Sequence, residues 1–341
     1  MGDLEEIFRR LPRYARNDKW KGNTMIEKMP KWMYAILKFF VSLTGIKSLR
    51  QKLKQCRYPY PRCSEYKKCC LKRDGFEKCK KTIQNLVIGS SHGDYAYIPA
   101  ENEYNFCIPS QDLYYASKIY EKYDNEMPKL QNVVLFYSVF SPGFCLEKTS
   151  EKYRCLGYYK VFDIMPQTQD VLDMVKDETR QYDVCLNLLE KETKASKSYR
   201  GENEDKKGKM VGRIGVANVE ERAEKHLKNN RRGDLELQFL KNLIEKTAQN
   251  NHRLFIILAP AHKDYKKLLP DGAELFASLK KLIEECDKNA QSENRHVMLI
   301  DLYNHFDLPN DCWWDYDHVN HKGAEVVTSE IRKQTKGFER L

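Results

Sequence analysis

No run of apolar residues in this 341-residue chain approaches the about 18 needed to cross a bilayer as a helix, so no membrane span is expected. The first twenty residues, MGDLEEIFRRLPRYARNDKW, hold no apolar core followed by a small-residue cleavage site, and no export signal is expected either. Cysteine is plentiful at 11 residues, yet no two are spaced C-x-x-C. Five of them, Cys56, Cys63, Cys69, Cys70 and Cys79, crowd a basic segment that contains no histidine. Zinc spacing is therefore missing, and the expectation is reduced thiols in a cytoplasmic protein with no bound metal. With 41% hydrophobic residues the chain can bury a real core, which excludes wholesale disorder.

Charge is present in quantity and unevenly placed. The chain has 59 Lys and Arg against 49 Asp and Glu, a net of +10. Residues 1–82 hold 22 of those cations and 8 acids, a net of +14, whereas residues 83–341 come to −4. A basic arm on a nearly neutral body suggests an anionic partner: phospholipid, nucleic acid or a pyrophosphate-linked carrier. Within the arm, Trp32, Ile36, Phe39, Leu43 and Ile46 recur at steps of four and three, one face of a helix over 32–46. Lys31, Lys38, Lys47 and Arg50 surround that stripe, as in a helix lying in a membrane interface. The alternative is that the stripe packs on the main domain. Nucleic acid is not the expected partner, because the body, at −4, offers no supporting patch. Residues 50–82, with Pro59 and Pro61, read as a connector, so the division expected is 1–82 and 83–341.

From Ile83 the pattern changes to strands alternating with helices. Strands are expected at Ile83–Ile88, Asn132–Phe140, Leu254–Leu258 and His296–Leu302. Helices are expected around 110–123, 168–190, 234–250, 272–288 and 322–334, with a charged, apolar-poor insertion over Lys191–Gly215. The fold class implied is α/β, a mostly parallel sheet between two helical layers.

Ligands in such a sheet gather at the carboxyl ends of strands. The first strand runs into Gly89-Ser90-Ser91-His92-Gly93, where glycine permits a sharp turn and a serine faces the crevice. Gly-Ser-Ser is also an ordinary turn. Near the far end stands Trp314-Asp315-Tyr316-Asp317-His318-Val319-Asn320, with Gly323 beyond. An Asp three residues before a His can orient one ring nitrogen while the other deprotonates a serine. Such pairs are also common among surface polar residues.

Taken together, Gly89-Ser90-Ser91 and Asp315-x-x-His318-x-Asn320-x-x-Gly323 resemble the SGNH (GDSL-type) hydrolase superfamily over about residues 83–335. The resemblance implies a three-layer, flavodoxin-like α/β/α domain with Ser91 as nucleophile, His318 as general base and Asp315 as its orienting acid. Asp317 and Ser90 are the alternatives for acid and nucleophile. The chain is especially similar to bacterial relatives encoded with surface-glycan assembly enzymes, including D-alanyl transfer proteins that also carry Gly-Ser-Ser.

The chain departs from that family at the oxyanion donors. No glycine occurs from Asp94 to Pro142, so Ser110 or Gln111 stands where the second block has glycine. Ser138 and Ser141 stand where the third block has Gly-x-Asn. His262 follows a strand and is a further candidate for substrate contact. Tyr95, Tyr97, Tyr114, Tyr115, Trp313 and Trp314 are candidates for a sugar-stacking wall, though many such aromatics serve a core. The resemblance implies hydrolysis or transfer of an acyl group, O-acetyl on a glycan or glycan precursor being the leading class, through an acyl-serine and with no cofactor. The alternative is a non-catalytic binding or assembly component of polysaccharide synthesis, favoured by the altered oxyanion blocks. The location expected is cytoplasmic, at the inner membrane face if residues 1–82 bind anionic lipid.

Overall fold

The computed structural model describes residues 29–43, 45–194, 201, 214, 218–229, 234–269, 272–289, 296–336 and 338. Most of the insertion expected over 191–215 lies outside the described residues. The chain forms two compact units, residues 1–63 with 177–188, and residues 64–176 with 189–341. Among the described residues, no helix is long and apolar enough to cross a membrane.

The first unit contains helices α1 (Lys31–Leu43) and α2 (Lys47–Arg57). Gly45, at φ +67°, turns the chain between them in the left-handed region that glycine enters without a steric penalty. Val41 of α1 and Leu53 of α2 are buried against each other, with Met29, Tyr34, Leu37 and Leu49 around them. Residues 50–82, expected as a connector, are instead largely helical. Beyond α2 comes α3 (Cys63–Cys79), in which Tyr66, Cys69, Cys70 and Phe76 are buried. Burial of those thiols in an apolar setting pushes Cys69 up to about 12 and leaves it a small hydrophobe rather than a nucleophile.

The second unit is built on five strands, all paired in parallel: β1 (Asn85–Gly89), β2 (Glu103–Asn105), β3 (Asn132–Tyr137), β4 (Arg253–Leu258) and β5 (Val297–Asp301). Four were legible as apolar runs. β2, only three residues long, carried no such signal. The spatial order is β2-β1-β3-β4-β5. In this doubly wound order the connections leave β1 and β3 in opposite directions, so a crevice opens at their carboxyl ends. Among the described residues the α-helices after α3 are α4 (Ser91–Ala96), α5 (Leu113–Tyr123), α6 (Cys155–Phe162), α7 (Gln169–Lys194), α8 (Val219–Asn229), α9 (Asp234–Gln249), α10 (Lys263–Lys266), α11 (Gly272–Asn289) and α12 (His321–Thr335).

Because strand side chains alternate, each strand feeds two cores. Val87, Val134, Phe136, Phe255, Ile257 and Ile300 bury one face with Ala324, Val327 and Ile331 of α12. Their neighbours Leu86, Ile88, Val133, Leu135 and Ile256 are equally buried on the other face, toward α5 and α9. That double burial explains why the strands read as continuous apolar runs.

An ionic anchor fixes α4. Lys72 of α3 is wholly buried and donates to Asp94 Oδ1 at 2.9 Å and to the Asn105 and Gly201 carbonyls, both at 2.8 Å. Lys68 takes the other Asp94 oxygen at 2.5 Å. Burial lowers the Lys72 pKa, an effect Asp94 only partly offsets. Two cations of the basic arm thus hold the short helix that begins at Ser91.

Candidate active site

Gly89 ends β1 at φ +127°, beside Phe136 of β3. A Cβ on Gly89 would lie 2.6 Å from the Phe136 carbonyl oxygen, so only glycine fits. Gln111 steadies this bend by accepting the Gly89 N–H on Oε1 at 2.8 Å. The chain then turns into α4 with Ser90 as N-cap and Ser91 as first residue. Ser90 Oγ sits 2.9 Å from His92 Nδ1 and accepts the His92 N–H at 3.4 Å. The two serines therefore differ: Ser90 serves the helix end, while Ser91 Oγ points elsewhere.

Its partner comes from the other end of the domain. Trp314 and Asp315 both donate their N–H groups to the His318 carbonyl, at 2.8 and 3.2 Å, closing a tight loop ahead of α12. Asn320 caps α12 by accepting the Gly323 N–H at 3.1 Å. Within the loop, Asp315 Oδ1 accepts the N–H groups of Asp317 at 3.1 Å and His318 at 2.8 Å. It also lies 3.0 Å from His318 Nδ1, with Oδ2 at 3.2 Å. His318 Nε2 reaches Ser91 Oγ at 2.8 Å, across 227 positions of sequence. With a carboxylate on Nδ1, that nitrogen carries the proton, and Nε2 accepts from the Ser91 hydroxyl.

A second ring of charge surrounds His318. Asp317 Oδ1 lies 3.5 Å from Nδ1, and its carboxylate is also held by the Arg222 guanidinium. Arg222 Nη2 stands 3.1 Å from His318 Nδ1 and 3.5 Å from Asp315 Oδ2. Burial alone would raise the Asp317 carboxyl, but His318, Arg222 and His226 outweigh it and hold it far below the usual carboxylate range. His318 shows the reverse balance: burial lowers it, Asp317 and Asp315 raise it, and the net shift is upward. His92 and His226 are driven down by burial to about 3 and about 4, and so stay neutral beside it. The ring of Tyr95 packs 4.7 Å from that of His318. Sequence reasoning missed Arg222, since one cation among 59, on a helix far from either motif, carries no distinguishing signal.

The other expected site residues behave differently. Ser110 adopts φ +61° and donates its hydroxyl to Glu151 at 2.5 Å. Gln111 is buried, with its amide spent on Gly89 and, at 3.3 Å, on Tyr158. Ser138 directly follows β3, but Ser141 Oγ accepts the Ser138 N–H at 2.9 Å and Ser138 Oγ accepts the Phe140 N–H at 3.3 Å. Both hydroxyls thereby serve a local turn. His262 is buried, with Nδ1 accepting the Asp264 N–H at 3.3 Å and Nε2 3.0 Å from Asn310 Oδ1. It packs edge-on to Trp313 and Tyr316, bracing the loop behind His318. Tyr97, Tyr115 and Trp313 are core residues.

Among the described residues, two groups have ligand atoms close enough to hold a metal ion, Asp315–Asp317–His318 and Asp112–Cys145–Glu236. In the first, the Arg222 guanidinium already balances both carboxylates, so a cation would have to displace it. In the second, Asp112 spends its oxygens on the N–H groups of Tyr115 and Leu146, at 2.9 and 2.8 Å. A half-buried serine, an imidazole held in one tautomer and a buried carboxylate pair make a proton relay suited to nucleophilic attack. No protein-family model matches the chain, and no curated protein matches it either.

Proposed function

We propose that this chain is a serine esterase or O-acyltransferase of the SGNH type, working through an acyl-serine intermediate. The observation that carries the reading is the 2.8 Å contact between His318 Nε2 and Ser91 Oγ, with Asp315 on Nδ1. Its place adds support, because Ser91 follows β1 at the point where the strand order reverses. So does the left-handed backbone of Ser110, a conformation that favours glycine, at one of the two positions, Ser110 or Gln111, expected to replace the family's glycine. The substrate class, O-acetyl or related acyl groups of a glycan or its precursor, rests on the sequence resemblance.

In this mechanism the Ser91 proton passes to His318 Nε2 as Oγ attacks the ester carbonyl carbon. The imidazolium is balanced by Asp315 and Asp317. The tetrahedral oxyanion meets the Ser91 N–H, which lies in the first turn of α4 and has no intrahelical acceptor. Collapse breaks the ester C–O bond, and His318 returns the proton to the leaving alcohol. Water or a sugar hydroxyl, deprotonated by His318, then attacks the acyl carbon; the bond to Ser91 Oγ breaks, and His318 returns the proton to that oxygen.

A non-catalytic binding role is the second reading, favoured by the occupied hydroxyls of Ser138 and Ser141. Intact-mass labelling with a fluorophosphonate decides between them. One adduct, mapped to Ser91 and lost in His318→Ala, is expected of the enzyme. An unlabelled folded protein favours the binding role.

A further inference from the structure

The α1–α2 hairpin has three distinct faces. Val41, Leu37 and Tyr34 of α1 turn toward Leu49 and Leu53 of α2 and form its small core. Lys31, Lys38 and Ser42 share a second, polar side. The third carries Trp32, Met33, Ile36, Phe39, Phe40 and Leu43, all exposed and within an arc of about 120° at 3.6 residues per turn. Trp32 is 65% exposed, Phe39 60% and Leu43 67%, values far from those of a packed core. A contiguous apolar face of this size marks a docking surface.

We infer that this face of α1 docks into the interface of an anionic phospholipid bilayer, a function separate from the proposed chemistry at Ser91 and independent of it. Charge selects the occupant. Residues 29–57 contain seven Lys and Arg and no acidic residue. Lys31, Lys38, Lys47, Arg50, Lys52 and Lys54 of the same hairpin are exposed. A second copy of the chain would set these cations against their like, whereas anionic headgroups neutralise them. The aromatic content fits as well, since Trp and Phe settle at headgroup depth while Lys stems reach outward. Helix α1, at 13 residues, is too short to span and suits a position in the plane.

The test is co-sedimentation of the full chain with vesicles of phosphatidylcholine, with or without about 30 mol% phosphatidylglycerol. Binding should require the anionic lipid and weaken with added salt. The variant Phe39→Ser/Phe40→Ser should lower partitioning by about tenfold or more, and Lys31→Gln/Lys38→Gln/Lys47→Gln by several-fold. These side chains are exposed, so neither variant should change the melting temperature. Should the aromatic variant melt early, the charge variant and the salt series read the same surface. Equal binding to neutral vesicles, no binding at low salt, or variants that bind like the parent would overturn the inference. So would a concentration-dependent dimer of the parent that Phe39→Ser/Phe40→Ser converts to monomer.

Discussion

Two sets of residues near the carboxyl ends of β1, β2 and β3 are built on different plans. In the relay set, Ser91, His318, Asp315, Asp317 and Arg222 come from three distant stretches of chain, and their side chains contact one another directly. At the neighbouring strand ends, among the described residues, Ser138 and Ser141 after β3 bond within their own turn, and Ser110 after β2 is bound to Glu151. A relay moves a proton between side-chain atoms, so its residue types are dictated. Stabilising an oxyanion needs only an N–H in the right place, which any residue but proline supplies. In the proposed mechanism, the substitutions at Ser110, Ser138 and Ser141 should therefore be less damaging than they look in the sequence.

The widest gap should open at the relay. Ser91→Ala and His318→Ala are each expected to cut hydrolysis of an activated acetyl ester by on the order of 10⁴-fold or more, and the double variant should be little worse. Activity surviving Ser91→Ala but lost in Ser90→Ala would move the nucleophile one residue and undo the comparison. Next, Asp315→Asn should cost on the order of 10³-fold in kcat, less than either, because Asp317 still faces Nδ1 at 3.5 Å. An equal loss would show that Asp317 gives no support.

A smaller effect tests the platform beneath the relay. Lys72→Met removes a buried cation from Asp94, and should destabilise the domain by about 3 kcal/mol in urea unfolding. Activity per folded molecule should fall with it if the pair sets the angle of α4. Unchanged stability would mean that the anchor contributes nothing.

The acid limb of the pH–rate profile is subtler. His318 must be neutral to accept the proton, and its pKa is raised, so activity should fade on acidification from a higher pH than an ordinary histidine would give. Arg222 lowers that pKa and Asp317 raises it. Arg222→Gln should therefore shift the limb upward, and Asp317→Asn downward. Shifts of the opposite sign would refute the electrostatic account. Smallest of all, Ser138→Ala and Ser141→Ala should change kcat by less than about threefold, whereas loss of a true oxyanion donor costs about 10²–10³-fold. A loss of that larger size would put these hydroxyls back on the reacting oxygen.

What was legible in the sequence was what depends on local pattern. Apolar runs marked four strands, because strands buried on both faces must be apolar throughout, and Gly89 marked the bend, because no side chain fits there. The spacing from Asp315 to His318 allowed one loop to hold both groups. β2, at three residues, was too short to leave a pattern. The basic arm looked like one feature, yet its lysines have two fates: Lys72 is buried in an ion pair, while Lys38 is exposed. Residue type cannot separate those fates, since burial of a lysine depends on whether a carboxylate such as Asp94 arrives beside it from elsewhere in the chain. The same holds for Arg222, His92 and His226 around His318. Sequence determined the four longer strands, the bend and the Asp–His loop, because sterics and hydrophobic burial act on neighbouring residues. Only the tertiary structure decided which charges meet, because Coulomb interactions and hydrogen bonds depend on distances in space that chain separation does not encode.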